Sequence, residues 1–185
     1  MKILFVGDSL TASGNWSEVI DFAEVENLAV PGGTTDELME LTERIASSKP
    51  DVISLLIGTN DFGNFLLNRS AEDVSARIFT IIERLLKILP NTKIFLHTLL
   101  PRGLEESALD LRPRIKELNQ LLKVDWPNRV LLIDLWPLFV DDDGLSLAEE
   151  FVVEGESSLR LHINRNGYYK WEEVLIPELR KLINP

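Results

Sequence analysis

The chain has no cysteine. That removes disulfides, thiolate nucleophiles and cysteine-type zinc sites together, and it fits a reducing compartment. Histidine is almost as scarce. His97 and His162 are the two present, so any mechanism that needs an imidazole must use one of them. Basic side chains are also few: 19 Lys and Arg stand against 30 Asp and Glu, a formal net charge of −11. A field of that sign repels phosphate backbones and anionic lipid surfaces. Nucleic acid is therefore disfavoured as a partner, and neutral or cationic small molecules are admitted more easily than polyanions. Long apolar runs are missing too. The longest, Val52–Ile57, has strand length and falls far short of the roughly 20 residues that span a bilayer. Ile3–Val6 is too short for a signal-peptide core, and no small-residue cleavage site follows it. The expectation is a soluble, cytoplasmic protein without membrane insertion. Nothing in the composition specifies an oligomeric state.

What is present is ordinary globular composition, with 45 % hydrophobic and 26 % charged residues in 185. No repeat, low-complexity tract or linker divides the chain, so residues 1–185 read as a single domain. Apolar runs alternate with segments of helical period. Ile3–Val6, Val25–Ala29, Val52–Ile57, Lys93–His97 and Val130–Ile133 read as buried strands. Thr34-Thr35-Asp36-Glu37 has capping-box spacing ahead of Leu38, Leu41 and Ile45. Ser70 opens a second helix carrying Val74, Ile78, Ile81, Ile82, Leu85 and Leu86 towards Pro90. Arg114–Val124 and Tyr168–Ile183 are further helices, with Pro177 expected to kink or interrupt the last. Strand and helix in alternation imply an α/β fold: a parallel sheet covered on both faces, with ligands beyond the carboxyl ends of the strands.

The chemistry-bearing residues fall at those ends. Gly7-Asp8-Ser9-Leu10 follows the first strand and offers a hydroxyl nucleophile. The loop Asn27–Thr35 follows the second and contains Pro31-Gly32-Gly33, whose backbone N–H groups a substrate can approach without a side chain intervening. Gly58-Thr59-Asn60-Asp61 follows the third and offers an amide donor. A tetrahedral oxyanion wants such donors prearranged at about 2.7–3.1 Å. His162, in Leu161-His162-Ile163-Asn164, precedes the last helix, which Asn164 is placed to cap, and supplies a base for Ser9.

These four blocks, in this order, resemble the GDSL esterases and lipases, also called SGNH hydrolases, over essentially the whole chain. The last block, His162-Ile163-Asn164-Arg165-Asn166-Gly167-Tyr168, is similar to the family's His-x-Asn-x-x-Gly-Tyr. The resemblance implies a three-layer α/β/α sandwich with a five-stranded parallel sheet in flavodoxin-like order 2-1-3-4-5. It implies Ser9 as nucleophile, His162 as base, and an oxyanion hole from the Ser9 and Gly32 backbone N–H groups and the Asn60 amide. No metal or organic cofactor is implied, and the expected partner is a small-molecule ester. One departure stands out. The acid usual three residues before the histidine is replaced by Leu159. Glu154-Gly155 resembles the family's Asp-Gly pair with Glu156–Arg160 inserted after it. That makes Glu154 the candidate acid, Glu156 the second, and a Ser-His dyad the alternative.

Other features read more plainly. Asp8 and Asp61 are loop-shaping hydrogen-bond acceptors. His97 has no motif around it and is a structural or rim residue. Asp141-Asp142-Asp143-Gly144 is a surface turn, because a calcium loop in that register would need Phe139 as its first ligand. Trp16 and the stretch Phe62–Leu67 lie close to the site blocks in sequence; Trp16 and Phe62 are the candidates for touching substrate. With no residues left over for a lid domain, the site is expected to be open. The rival expectation, from the missing Asp, is a binding module of the same fold with weak catalysis. A nucleotide-binding protein ranks below both, since neither phosphate-loop fingerprint is present.

Overall fold

The computed structural model describes residues 1–63, 68–103, 111–155 and 161–183. Five parallel strands, β1 (Lys2–Gly7), β2 (Glu24–Asn27), β3 (Val52–Leu56), β4 (Lys93–His97) and β5 (Val130–Ile133), form one sheet in the order β2-β1-β3-β4-β5. The expected order is the one observed. β1 and β3 are buried throughout apart from Lys2, as central strands covered on both faces must be. Their register pairs Phe5 with Ser54, which in turn pairs with Phe95.

The helices are α1 (Ser9–Ala12), α2 (Trp16–Val19), α3 (Thr35–Glu40), α4 (Thr42–Ser47), α5 (Thr59–Gly63), α6 (Ala71–Ile88), α7 (Arg112–Leu121), α8 (Trp136–Phe139) and α9 (Arg165–Arg180). α6 packs against α3, α4 and α7, which together cover one face of the sheet. It buries Val74, Ile78, Ile81, Ile82 and Leu85, each worth about 1.5–3 kcal/mol against exposure. The other face carries Phe5, Ser54 and His97. Phe5 stacks on Trp16 of α2 at 4.5 Å, and His97 meets Trp171 of α9 edge-on at 5.4 Å. Three layers result. Among the described residues no helix is long and apolar enough to cross a membrane.

Some expected boundaries differ, for local reasons. β2 stops at Asn27 rather than Ala29, because the Asn27 side chain accepts the Ala29 N–H at 3.0 Å and turns the chain. The Thr34–Glu37 capping box is present, but the helix it opens breaks at Leu41 into α3 and α4. α9 begins at Arg165, three residues before the expected start, because Asn164 accepts from the N–H groups of Asn166 and Gly167. Pro177 does not interrupt it. Trp171 before the proline and Leu179 after it are both fully buried, and that packing carries the helix through.

Candidate active site

β1 delivers Ser9 to the carboxyl edge of the sheet. At Gly7 a Cβ would stand 2.2 Å from the Leu56 carbonyl oxygen and 2.4 Å from Thr11 Oγ1, so only glycine lets β1 run this close to β3 and turn. Asp8 then caps α1: its carboxylate accepts the Leu10 N–H at 3.0 Å. Since Asp8 is the cap, Ser9 becomes the first helical residue and its hydroxyl is released from capping. That hydroxyl lies 3.0 Å from Nε2 of His162, across 153 residues of sequence.

His162 is held from both sides. Val152 and Ile163 form an isolated antiparallel bridge, and the Asn164 N–H donates to the Phe151 carbonyl at 2.8 Å. The Asn164 amide also donates to the carbonyls of Glu150 and Val152. Three residues beyond the cap, the Tyr168 hydroxyl donates to the Leu10 carbonyl. Each polar letter of the last sequence block thus has a mechanical task around the imidazole.

The second loop forms a type II turn over Val30-Pro31-Gly32-Gly33. Gly33 N–H donates to Val30 O at 2.8 Å, and Gly32 takes φ 77°, which glycine permits without strain. The turn distinguishes the two candidate glycines. Gly33 has spent its N–H on Val30, whereas no intramolecular partner is found for the Gly32 N–H among the described residues, and Gly32 is exposed. From the third loop, the Asn60 amide donates to the Gly33 carbonyl at 2.9 Å, which leaves its second N–H available.

Asp61, next to Asn60, is fully buried. It accepts from the Thr35 N–H at 3.0 Å and from the Thr35 hydroxyl, and pairs with Arg69 at 2.5 Å. Arg69 reaches on to Asp36, which Arg77 also contacts. This network ties the loops after β2 and β3 together. Asp8 and Asp61 both act as the expected loop acceptors. Burial pushes the Asp8 carboxyl up to about 7, against the Leu10 N–H and the charge of His162, which favour ionisation.

Two expected substrate contacts are corrected. Trp16 is 2 % exposed, stacked on Phe5, edge-on to Trp171 and Tyr168, with its N–H given to the Thr11 carbonyl. Phe62 is 1 % exposed. Both rings pack beneath the site because a large apolar surface gains more from burial there than at an open rim. The rest of the Phe62–Leu67 stretch, from 64 to 67, lies outside the described residues. Glu154 is exposed on a turn with Gly155, and among the described residues no hydrogen bond or ion pair joins it to His162. Glu156 and Leu159 also lie outside the described residues. His97 is buried, bonded through Nε2 to the Ser54 hydroxyl at 2.9 Å, with burial pushing its pKa down to about 3. It is a structural residue. Asp141–Gly144 is the expected turn, closed by Gly144 N–H on the Asp141 carbonyl. The Asp143 carboxylate is engaged by the N–H groups of Leu145 and Ser146.

A hydroxyl against an imidazole, with N–H donors on two neighbouring strand-end loops, is the arrangement of an acyl-transfer centre. The sequence profile of the GDSL-like Lipase/Acylhydrolase family matches residues 5–170. The platelet-activating factor acetylhydrolase IB subunit alpha2 of Rattus norvegicus is 32 % identical over 177 residues, covering 91 % of this chain and 71 % of that protein. A GDSL-like lipase from Bacteroides thetaiotaomicron superposes with a TM-score of 0.81 at 18 % identity, over 98 % of this chain and 88 % of that one. The lipase/acylhydrolase from Enterococcus faecalis gives 0.71 at 22 %, over 97 % and 95 %. At these identities the structural likeness speaks for the fold.

Proposed function

The chain belongs to the GDSL-like lipase/acylhydrolase family, and on that premise we propose that it is a serine esterase acting on small-molecule esters with Ser9 as nucleophile. One observation carries the reading: the 3.0 Å contact between Ser9 Oγ and His162 Nε2. In acylation His162 Nε2 takes the Ser9 proton as Oγ bonds to the carbonyl carbon, and the carbonyl π pair moves onto oxygen. The oxyanion is received by three donors. They are the Ser9 N–H, one of the first helical N–H groups and so without an intrahelical partner, the free Gly32 N–H, and the second N–H of Asn60. Collapse breaks the ester C–O bond, and the proton on Nε2 passes to the leaving alkoxide. Water then attacks the acyl-enzyme with the same imidazole as base.

The acyl group is short in this reading. The rat relative is named an acetylhydrolase, and a family 3 carbohydrate esterase from Clostridium thermocellum shares the fold at TM-score 0.70 and 20 % identity. The cysteine-free composition fits action in the cytoplasm.

The test is a chain-length series of p-nitrophenyl esters run beside acetylated sugars, with wild type and Ser9→Ala. Turnover falling with acyl length, and lost by at least about 10³-fold in Ser9→Ala, is the expected outcome. Turnover that survives in Ser9→Ala overturns the nucleophile, and a folded wild type with no turnover points to the binding module instead.

A further inference from the structure

We propose that Asp8 is a positioning residue for His162: besides capping α1, its ionised carboxylate stabilises the imidazolium formed when Ser9 gives up its proton. The proposal rests on the esterase reading above and adds to it a second carboxylate-dependent element that touches neither substrate nor reacting atoms.

The capping bond does not account for an aspartate here. The Leu10 N–H needs one acceptor oxygen, and asparagine caps a helix as well as aspartate does. Asp8 is 1 % exposed, and a carboxylate buried that deeply is disfavoured unless its charge is used. The side chain nevertheless sits one residue before the nucleophile, at a strand end closed by the imidazole contact 3.0 Å from Ser9 Oγ.

Three titratable groups face it. His162 approaches from the loop before α9, and the charge it gains on protonation favours the ionised Asp8. Asp61 approaches from α5 and opposes that ionisation, but its own charge is taken up by Arg69 and the Thr35 N–H. Tyr168 approaches from α9. Burial pushes its hydroxyl up to about 12, so it stays neutral and donates to the Leu10 carbonyl. Coupling between two sites is reciprocal. If the imidazolium favours the Asp8 carboxylate, the carboxylate favours the imidazolium to the same extent. That is the species made in each proton transfer of the cycle. Asp8 with a carboxyl near 7 is partly ionised at neutral pH, so the active fraction grows as pH rises through that value.

The experiment compares Asp8→Asn and Asp8→Ala with wild type, following p-nitrophenyl acetate hydrolysis from pH 5 to 9. Asp8→Asn keeps the cap and removes the charge. Its plateau kcat/KM is expected to fall about 10-fold, and its acid limb to move to lower pH by about half a pH unit. Asp8→Ala should lose thermal stability as well. An Asp8→Asn profile that overlays wild type in plateau and limb overturns the proposal and leaves Asp8 a cap. Should Asp8→Asn fail to fold, an NMR titration of the His162 ring in wild type decides: a two-step curve supports coupling to Asp8, and a single step refutes it. Ser9→Ala is run alongside. If Ser9→Ala stays active, the esterase reading itself fails. If it is inactive while Asp8→Asn behaves as wild type, only the role of Asp8 falls.

Discussion

The Tyr168 hydroxyl donates to the Leu10 carbonyl oxygen at 2.9 Å and so joins the helix behind the base to the helix that begins with the nucleophile. Leu10 follows Ser9 directly, and Tyr168 lies one turn and a half beyond His162. The bond therefore sets the distance between two residues that no local structure could bring together. Tyr168→Phe keeps the ring packed on Trp16 and Trp171 but deletes this bond. We expect a loss of about 1 kcal/mol, a melting temperature lower by about 2–4 °C, and a kcat reduced several-fold with KM little changed. Thermal melts and steady-state kinetics measure both.

Asn60 and Gly32 should respond differently to alanine. Asn60→Ala removes an oxyanion donor and leaves the Gly33 carbonyl without its partner. The expected fall in kcat is about 10²–10³-fold. Gly32→Ala keeps the backbone N–H, and no heavy atom lies within 4 Å of the new Cβ, but φ 77° is strained for alanine by about 1–2 kcal/mol. It should lose stability with a much smaller loss of rate. Equal kinetic losses in the two variants would contradict the assigned roles.

Arg69→Ala strands the fully buried Asp61 carboxylate with Thr35 alone. Destabilisation of about 3–5 kcal/mol is expected, read from urea unfolding at pH 7. Asp61→Asn in the same background should recover part of it, because the uncompensated charge is then gone.

Acid should weaken the fold through His97. Burial holds its pKa near 3, against 6.5 unperturbed. Above about 6.5 the ring is neutral in both states and costs nothing. Below it the unfolded chain takes up a proton that the folded chain refuses, so stability is lost as pH falls from 6.5 towards 3. Asp8 has the opposite sign. Its raised value favours the folded state below about 3.8, and that contribution is lost as pH rises to about 7. Guanidinium unfolding across pH 4–8 should therefore show a shallower acid slope in His97→Gln.

Glu154→Gln is expected to change kcat less than about threefold, since an exposed carboxylate acts weakly through water. A loss of orders of magnitude would restore Glu154 as the acid that orients His162.

Much of this could be read from the chain alone. All five strands, the capping box at Thr34 and the Ser70 cap are local signals, carried by period and by side chains a few residues apart. The four short blocks that hold Ser9, Gly32, Asn60 and His162 are local too, and the rule that parallel strands present their loops on one edge is enough to expect them together. The tertiary structure decided everything that depends on which neighbour reaches a group first. It made Asp8 the cap and left Ser9 free. It spent the Gly33 N–H on Val30 and left that of Gly32. It sent Trp16 and Phe62 under the sheet edge, and buried Asp8 beside the field of His162. Periodicity says that a side chain is apolar or polar. Hydrogen-bond partners and desolvation are set by residues up to 158 positions away, and only folding brings those residues into contact.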